Sequence, residues 1–391
     1  MTRKLHLATR KSVHFLVLIV ATGLASQIAY AQTEAVLYSF KNEPTDGQIP
    51  QTGVIRDGAG SLYGTTFYGG PSNLGIIFKI SKRSRTVLHS FTGQTDGGHP
   101  NGLVLDNQGN LYGTAEVGGA HTCGIAFKLD RTRKFRVLYA FQGGQDGCVP
   151  VGLMRDAQGN FYGTTVSGGP TNVGTVFRID ATGKETVLYA FTGGTLGAAD
   201  GAFPFAGVIR DASGNLYGTT NGGGPDNFGT VYKIDAANKE TVLHAFTGGS
   251  LDGEFPYGVL AEDSVGNLYG TTDVGGTASS GTIFKIDPAG AESILFNFTQ
   301  VSQGGTPQSS LVLDAAGNLY GNTQLSGTYD WGVVFKFNLA TNTETVLHYF
   351  GNGKDGRAPL GMLTLDSSGR IYGTTQQGGG VDYGTVYEII P

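Results

Sequence analysis

One short phrase, repeated seven times, constrains what this chain can fold into. In its second copy it reads Gly109-Asn110-Leu111-Tyr112-Gly113-Thr114. Its tyrosine recurs as Tyr63, Tyr112, Tyr162, Tyr217, Tyr269, Tyr320 and Tyr372, roughly fifty residues apart, the period of a fold built from copies of one supersecondary unit. The 391 residues therefore need not divide into two or three unrelated domains.

The unit at 102–141 contains four short runs, at 102–106, 110–114, 125–129 and 136–141. Each is rich in β-branched and aromatic residues and bounded by Gly, Asp or Asn, which is how strands and tight turns read. No segment has helical periodicity. The 65 glycines and the 15% charged residues fit many turns and no disordered block. Leu111 and Tyr112 are adjacent, so they point to opposite faces of a strand. The pair recurs in other copies, which implies a sheet buried on both sides by copies of itself: a propeller blade. Gly113 and its equivalents sit inside that strand, where close approach of a neighbouring blade is the expected reason.

The first fourth-type run lies at 36–40 and the last third-type run at 384–389. A ring closes only if the first strand, near Val36, joins the last blade, which also removes exposed edges. The expected fold is all-β: a seven-bladed β-propeller of four-stranded antiparallel blades over 32–391, its ring closed by the N-terminal strand. An open solenoid is the alternative, but neither end shows a polar capping repeat.

Residues 1–31 read differently. Arg3, Lys4, Arg10 and Lys11 precede an apolar run at 13–25, and Ala29-Tyr30-Ala31 places small residues where a signal peptidase cuts. This is a signal peptide cleaved before Gln32; an uncleaved anchor is the alternative, with a run short for a span. The expected location is outside the cytoplasm: extracellular, cell surface or periplasmic. The formal charge of −5 becomes more negative once those four basic residues leave. Nucleic acid and anionic lipid are thus poor partners. A monomer with no membrane span in the mature chain and no cofactor is expected.

The run Asn215 to Thr220, with Gly222-Gly223 and Gly229-Thr230-Val231-Tyr232 after it, resembles the repeat of the bacterial tandem-repeat proteins called GloVer-containing. The resemblance covers essentially everything after residue 34. It implies an exported or surface-displayed bacterial protein of uncharacterised activity.

In a four-stranded meander the second-to-third loops and the blade connections emerge on one face, and here those are the long glycine-rich loops. Sites favour such loops on a rigid scaffold. Asp46, Asp96, Asp146, Asp200, Asp252 and Asp355 each precede a glycine in a blade connection. They form either a cation-binding ring or, more simply, turns. Asp57, Asp106, Asp156, Asp211, Asp263, Asp314 and Asp366 read as hairpin-turn residues rather than general acids. His89, His244 and His348 stand where other copies have Tyr38, Tyr139 and Tyr189, and read as strand residues. The double glycines precede no helix, so they lack the dipole of a phosphate loop.

Departures from the repeat are the candidate sites. Cys123 and Cys148 fall on one face with His99 and His121. A disulfide, two free thiols, or a zinc site with the two histidines all fit that grouping. The sixth copy has Asn322 in place of a threonine, and Tyr329-Asp330-Trp331 in a loop. Tyr329 and Trp331 suit stacking on a sugar ring or peptide, or Trp331 packs as Phe228 and Tyr383 do in their copies. No nucleophile elbow, paired-histidine zinc motif or Cys-x-x-Cys appears. The leading reading is an exported scaffold presenting one loop face to a protein or glycan. The alternative is a propeller hydrolase or lyase acting at the channel mouth on an extracellular glycan or related substrate. Convergent His, Glu or Arg at that mouth favours the enzyme; a mouth of Gly, Thr and backbone opposes it.

Overall fold

A computed structural model describes residues 33–41, 43–194, 200–299 and 302–390. The expected signal peptide therefore lies outside the described residues. Among them there is no α-helix, only one short 3-10 turn at Gly144–Asp146.

The second copy shows the unit clearly. Gly98–Leu105, Leu111–Val117, Ile125–Leu129 and Phe135–Ala140 form one antiparallel sheet in that order, from the central channel outward. Seven such blades make up the ring. Leu111 and Tyr112 are 3% and 5% exposed on opposite faces, so both sides of the sheet are buried.

The last blade contains both ends of the described chain. Thr364–Leu365, Ile371–Gln377 and Thr385–Ile390 come from the C-terminal side. Thr33–Ser39 pairs antiparallel with Thr385–Ile390, with Val36 opposite Tyr387 and Tyr38 opposite Val386 across a bulge. At the inner edge, Gly53 of the first blade bridges Met362 of the last. A side chain on Gly53 or Gly361 would strike the other blade's backbone.

Blades are joined by aromatic pairs. The phenylalanine just after each outer strand packs edge to face on the third-strand aromatic of the next blade. Phe91–Phe127, Phe141–Phe177, Phe191–Tyr232, Phe246–Phe284, Phe298–Phe335 and Phe350–Tyr387 run round the ring, with centroids 4.9–5.5 Å apart. Phe40 on Phe78, at 5.3 Å, joins the last blade to the first. Such a pair contributes about 0.5–1.5 kcal/mol beyond area burial.

The strand glycine has a different reason from the one expected. Gly113 pairs with Phe127 of its own blade. A Cβ there would lie 2.7 Å from the Phe127 ring tip. The glycine thus makes room for the ring of its own third strand.

The tyrosine of the phrase also has a fixed task. Tyr112 donates to Asp106 Oδ2 at 3.0 Å, beside the Asn110 side-chain donor at 2.8 Å. Oδ1 accepts the Gln108 and Asn110 amides. The tyrosine–aspartate bond recurs in all seven blades at 3.0–3.2 Å. Burial alone would raise the Asp106 carboxyl; the bonds from Asn110, Tyr112 and Gln108 outweigh it and hold it below the usual range. These aspartates are turn clamps.

Candidate functional site

The blade connections and second-to-third loops do meet on one face. Seven residues, each just before a proline, adopt φ of 53–60°: Ile49, His99, Val149, Phe203, Phe255, Thr306 and Ala358. Each donates its N–H to a loop carbonyl of the preceding blade at 2.8–3.1 Å, as His99 does to Leu74 and Ile49 to Tyr383. Positive φ is costly for bulky or β-branched residues. Its recurrence in all seven blades marks a device of the scaffold rather than of one site.

The residue after each proline enters the channel: Gln51, Asn101, Val151, Phe205, Tyr257, Gln308 and Leu360. With Phe67, Glu116 and Val166 they rim a central cavity of about 600 Å³, which continues between Ile55, Leu103, Leu153, Met154, Ile209 and Met362. All seven blades contribute to it. Among the described residues that line it, Glu116 alone carries a charge.

The rim has two characters. Phe205 and Tyr257 stack with centroids 5.3 Å apart and planes at 11°, and Phe205 is 36% exposed. His99 stacks on Phe67 at 4.4 Å, and its Nδ1 lies 3.0 Å from the Phe67 carbonyl. The polar side starts with the Asn101 amide donating to Glu116 Oε1 at 2.9 Å. Gln324, Gln376 and Gln51 form a chain of amides across three blades at 3.3 and 3.4 Å. Burial pushes the Glu116 carboxyl up, against the pull of Asn101 and His99. Burial also raises the Asp273 carboxyl, against the pull of Gln308. The Tyr257 hydroxyl is raised by burial and then by the charges of Glu116 and Asp273, which places it in the field of both carboxylates.

The residues singled out from sequence are scattered. His99 lies at this rim, half-buried. His121 is exposed on the blade 2 loop next to Cys123. Cys123 and Cys148 are joined in a disulfide with Cα atoms 4.5 Å apart, and no free cysteine remains. Neither the free-thiol reading nor the thiolate zinc site is formed. The bridge reinforces the bond from Val149 N–H to the Cys123 carbonyl. Tyr329, 42% exposed, and Trp331 share the sixth-blade loop. The Arg357 guanidinium covers the Trp331 ring at 4.6 Å and pairs with Asp382. The Trp331 carbonyl receives the Ala358 N–H as the Phe228 carbonyl receives that of Phe255, so Trp331 takes the expected repeat position. Asn322 is 1% exposed and donates to the Gly361 carbonyl at 2.9 Å, inside the junction of blades 6 and 7.

The blade-connection aspartates are engaged as well. Asp46, Asp146 and Asp200 accept from Tyr38, Tyr139 and Tyr189. Asp96, Asp252 and Asp355 pair with His89, His244 and His348 at 3.1–3.2 Å. Where Phe296 replaces the polar ring, the connection has no aspartate. His244, Asp252 and Glu292 bring ligand atoms within 4.8 Å of one another. Asp252 there already accepts from Thr247 and Gly253, so its oxygens are spoken for.

Sequence reasoning missed Phe205, Tyr257, Glu116 and Asp273. A signal was present. The residue closing the repeated phrase varies as Phe67, Glu116, Val166, Asn221, Asp273, Gln324 and Gln376 while the residues before it stay nearly constant. A position that varies inside a fixed scaffold is where a ligand is read.

The sequence profile of the Gloeobacter/Verrucomicrobia repeat matches residues 20–209 and 195–387. No curated protein matches. Among solved structures, the extracellular domain of BT3049 from B. thetaiotaomicron is similar at TM-score 0.61 and 14% identity, covering 92% of this chain and 41% of that one. A Mycobacterium tuberculosis puromycin-hydrolyzing peptidase aligns at 0.57 and 12%, over 87% of this chain and 52% of its own. An oligogalacturonate lyase in complex with manganese aligns at 0.57 and 13%, over 92% and 96%. This chain therefore spans about two fifths of the first of these and nearly all of the last. At such identities the likeness is one of fold.

Proposed function

The chain belongs to the Gloeobacter/Verrucomicrobia repeat family, and from that premise we propose that it is an exported binding scaffold whose ligand, a protein or glycan, docks on the loop-rich face and reaches into the central channel. The observation that carries this reading is the cavity of about 600 Å³ rimmed by one varied residue from each blade. Its size is that of small-ligand and side-chain pockets. The stacked, part-exposed Phe205–Tyr257 pair supplies a rigid apolar anchor of the kind that dominates binding energy. The segment 1–31 and the Cys123–Cys148 bridge support export into an oxidising compartment.

The test is direct. Residues 32–391 are screened on glycan and peptide arrays, and each ligand found is measured against Phe205→Ala/Tyr257→Ala. Loss of binding, about tenfold or more, is expected. Full binding by the double variant puts the site elsewhere on the face.

One observation favours the enzymatic alternative: Glu116 and Tyr257, from blades 2 and 5, line one mouth, with His99 facing Glu116. A hydrolase or lyase built there requires slow turnover of the bound ligand, abolished by Glu116→Gln and Tyr257→Phe with binding kept. An intact ligand after prolonged incubation rejects it.

A further inference from the structure

The channel is chemically lopsided along its length. The loop-face rim carries one carboxylate, Glu116, and the amides of Gln51, Asn101 and Gln308, and the walls beyond are aliphatic: Ile55, Leu103, Leu153, Met154, Ile209 and Met362. Among the described residues no lysine or arginine lines the cavity. A carboxylate at an otherwise uncharged rim calls for a donor or a cation.

Three ligand classes separate on this chemistry. An anion meets only like charge at the rim. A polyhydroxylated ring pushed into the channel would leave hydroxyls facing aliphatic walls, at a cost of roughly 1–3 kcal/mol each. A compact apolar group bearing an ammonium satisfies both halves. Its body fills the aliphatic channel, and its charge sits at Glu116, within the same rim as the stacked rings of Phe205 and Tyr257.

We infer that the group received by this channel is an apolar moiety carrying a primary ammonium, held at the rim by Glu116 and the Tyr257 ring. This rests on the channel being the docking site. The same chemistry is offered by a peptide N-terminus with an apolar first side chain and by a small aliphatic or aromatic amine. Binding a cation favours the ionised carboxylate, so affinity rises with pH. His99 also faces Glu116.

The experiment titrates residues 32–391 with 2-phenylethylamine, 2-phenylethanol and 3-phenylpropionate, followed by calorimetry and by NMR of channel methyl groups. The peptide Leu-Gly-Gly and its N-acetyl form are a second arm that separates the two sources. The amine is expected to bind at least tenfold tighter than the alcohol, and the acid not at all. Its affinity should rise several-fold from pH 5.5 to 8, where the amine itself stays charged. Glu116→Gln, checked for an unchanged melt, should erase both the preference and the pH slope. Equal binding of amine and alcohol overturns the inference and leaves the channel as the docking site. The inference is also overturned if no probe shifts a channel methyl. Array ligands that tolerate Phe205→Ala/Tyr257→Ala would then remove the channel itself.

Discussion

At the scale of single residues, the repeated phrase is explained by one carboxylate. Asp263 shows it: Oδ1 accepts the Val265 and Asn267 amides, and Oδ2 accepts the Asn267 side chain at 2.7 Å and the Tyr269 hydroxyl at 3.0 Å. Truncation leaves four donors without their acceptor, several of them part-buried. Asp263→Ala is expected to cost about 2–3 kcal/mol in urea unfolding, with Asn recovering part of it. A loss below about 0.5 kcal/mol would mean that water replaces the carboxylate. Recurrence in seven copies made these aspartates visible in the sequence, and their surroundings made them turn residues rather than acids. Recurrence could not reveal what Gly113 does. The pairing of Gly113 with Phe127 is a register fact, and register depends on turns whose conformations a run of Gly and Asp leaves open.

At the scale of elements, the outer strand Thr33–Ser39 is the clearest case of a local sequence with a distant partner. It reads as a strand because Val36, Leu37 and Tyr38 match the other outer strands. Nothing near it in sequence pairs with it. Removing residues 32–41 exposes the edge of Thr385–Ile390 and deletes Phe40, which packs on Phe78. The expected result is a drop in melting temperature of roughly 10 °C or more, or concentration-dependent association through the bare edge. An unchanged, monomeric melt would show that the pairing contributes little. The count and type of elements were legible because each blade repeats one pattern. The rim was not, because Glu116 and Tyr257 lie in different blades and only ring closure brings them to one cavity.

At the scale of the whole molecule, the blade junctions form a set of proton-binding positions. The outer-strand glutamates Glu34, Glu240 and Glu344 are pushed up to about 7, chiefly by burial. Glu185 is pushed up to about 8 by burial and by Asp146. A group that holds its proton more firmly when folded contributes most below its ordinary value of 4.5 and loses that contribution as pH rises through 7 to 8. The lowered turn aspartates act in the opposite sense. Their contribution is present above about 4 and lost in acid. Stability should therefore peak near pH 5 and decline toward pH 8, by on the order of 1 kcal/mol per glutamate after solvent screening. Replacing Glu34, Glu185, Glu240 and Glu344 by Gln should flatten the alkaline side of a melting-temperature profile and spare the acid side. A profile that keeps its slope in this variant would assign the decline to other groups.

The shared last blade has a consequence for the order of events as the chain is made. Among the described strands, Thr33–Ser39 emerges first and its partner Thr385–Ile390 emerges last. Six sheets can complete themselves in sequence while the earliest segment waits, and the circle locks in one late step. During that interval the waiting strand is free to pair with the wrong edge, so the slowest phase of refolding should belong to the seam and the products of failure should be linked copies of the chain.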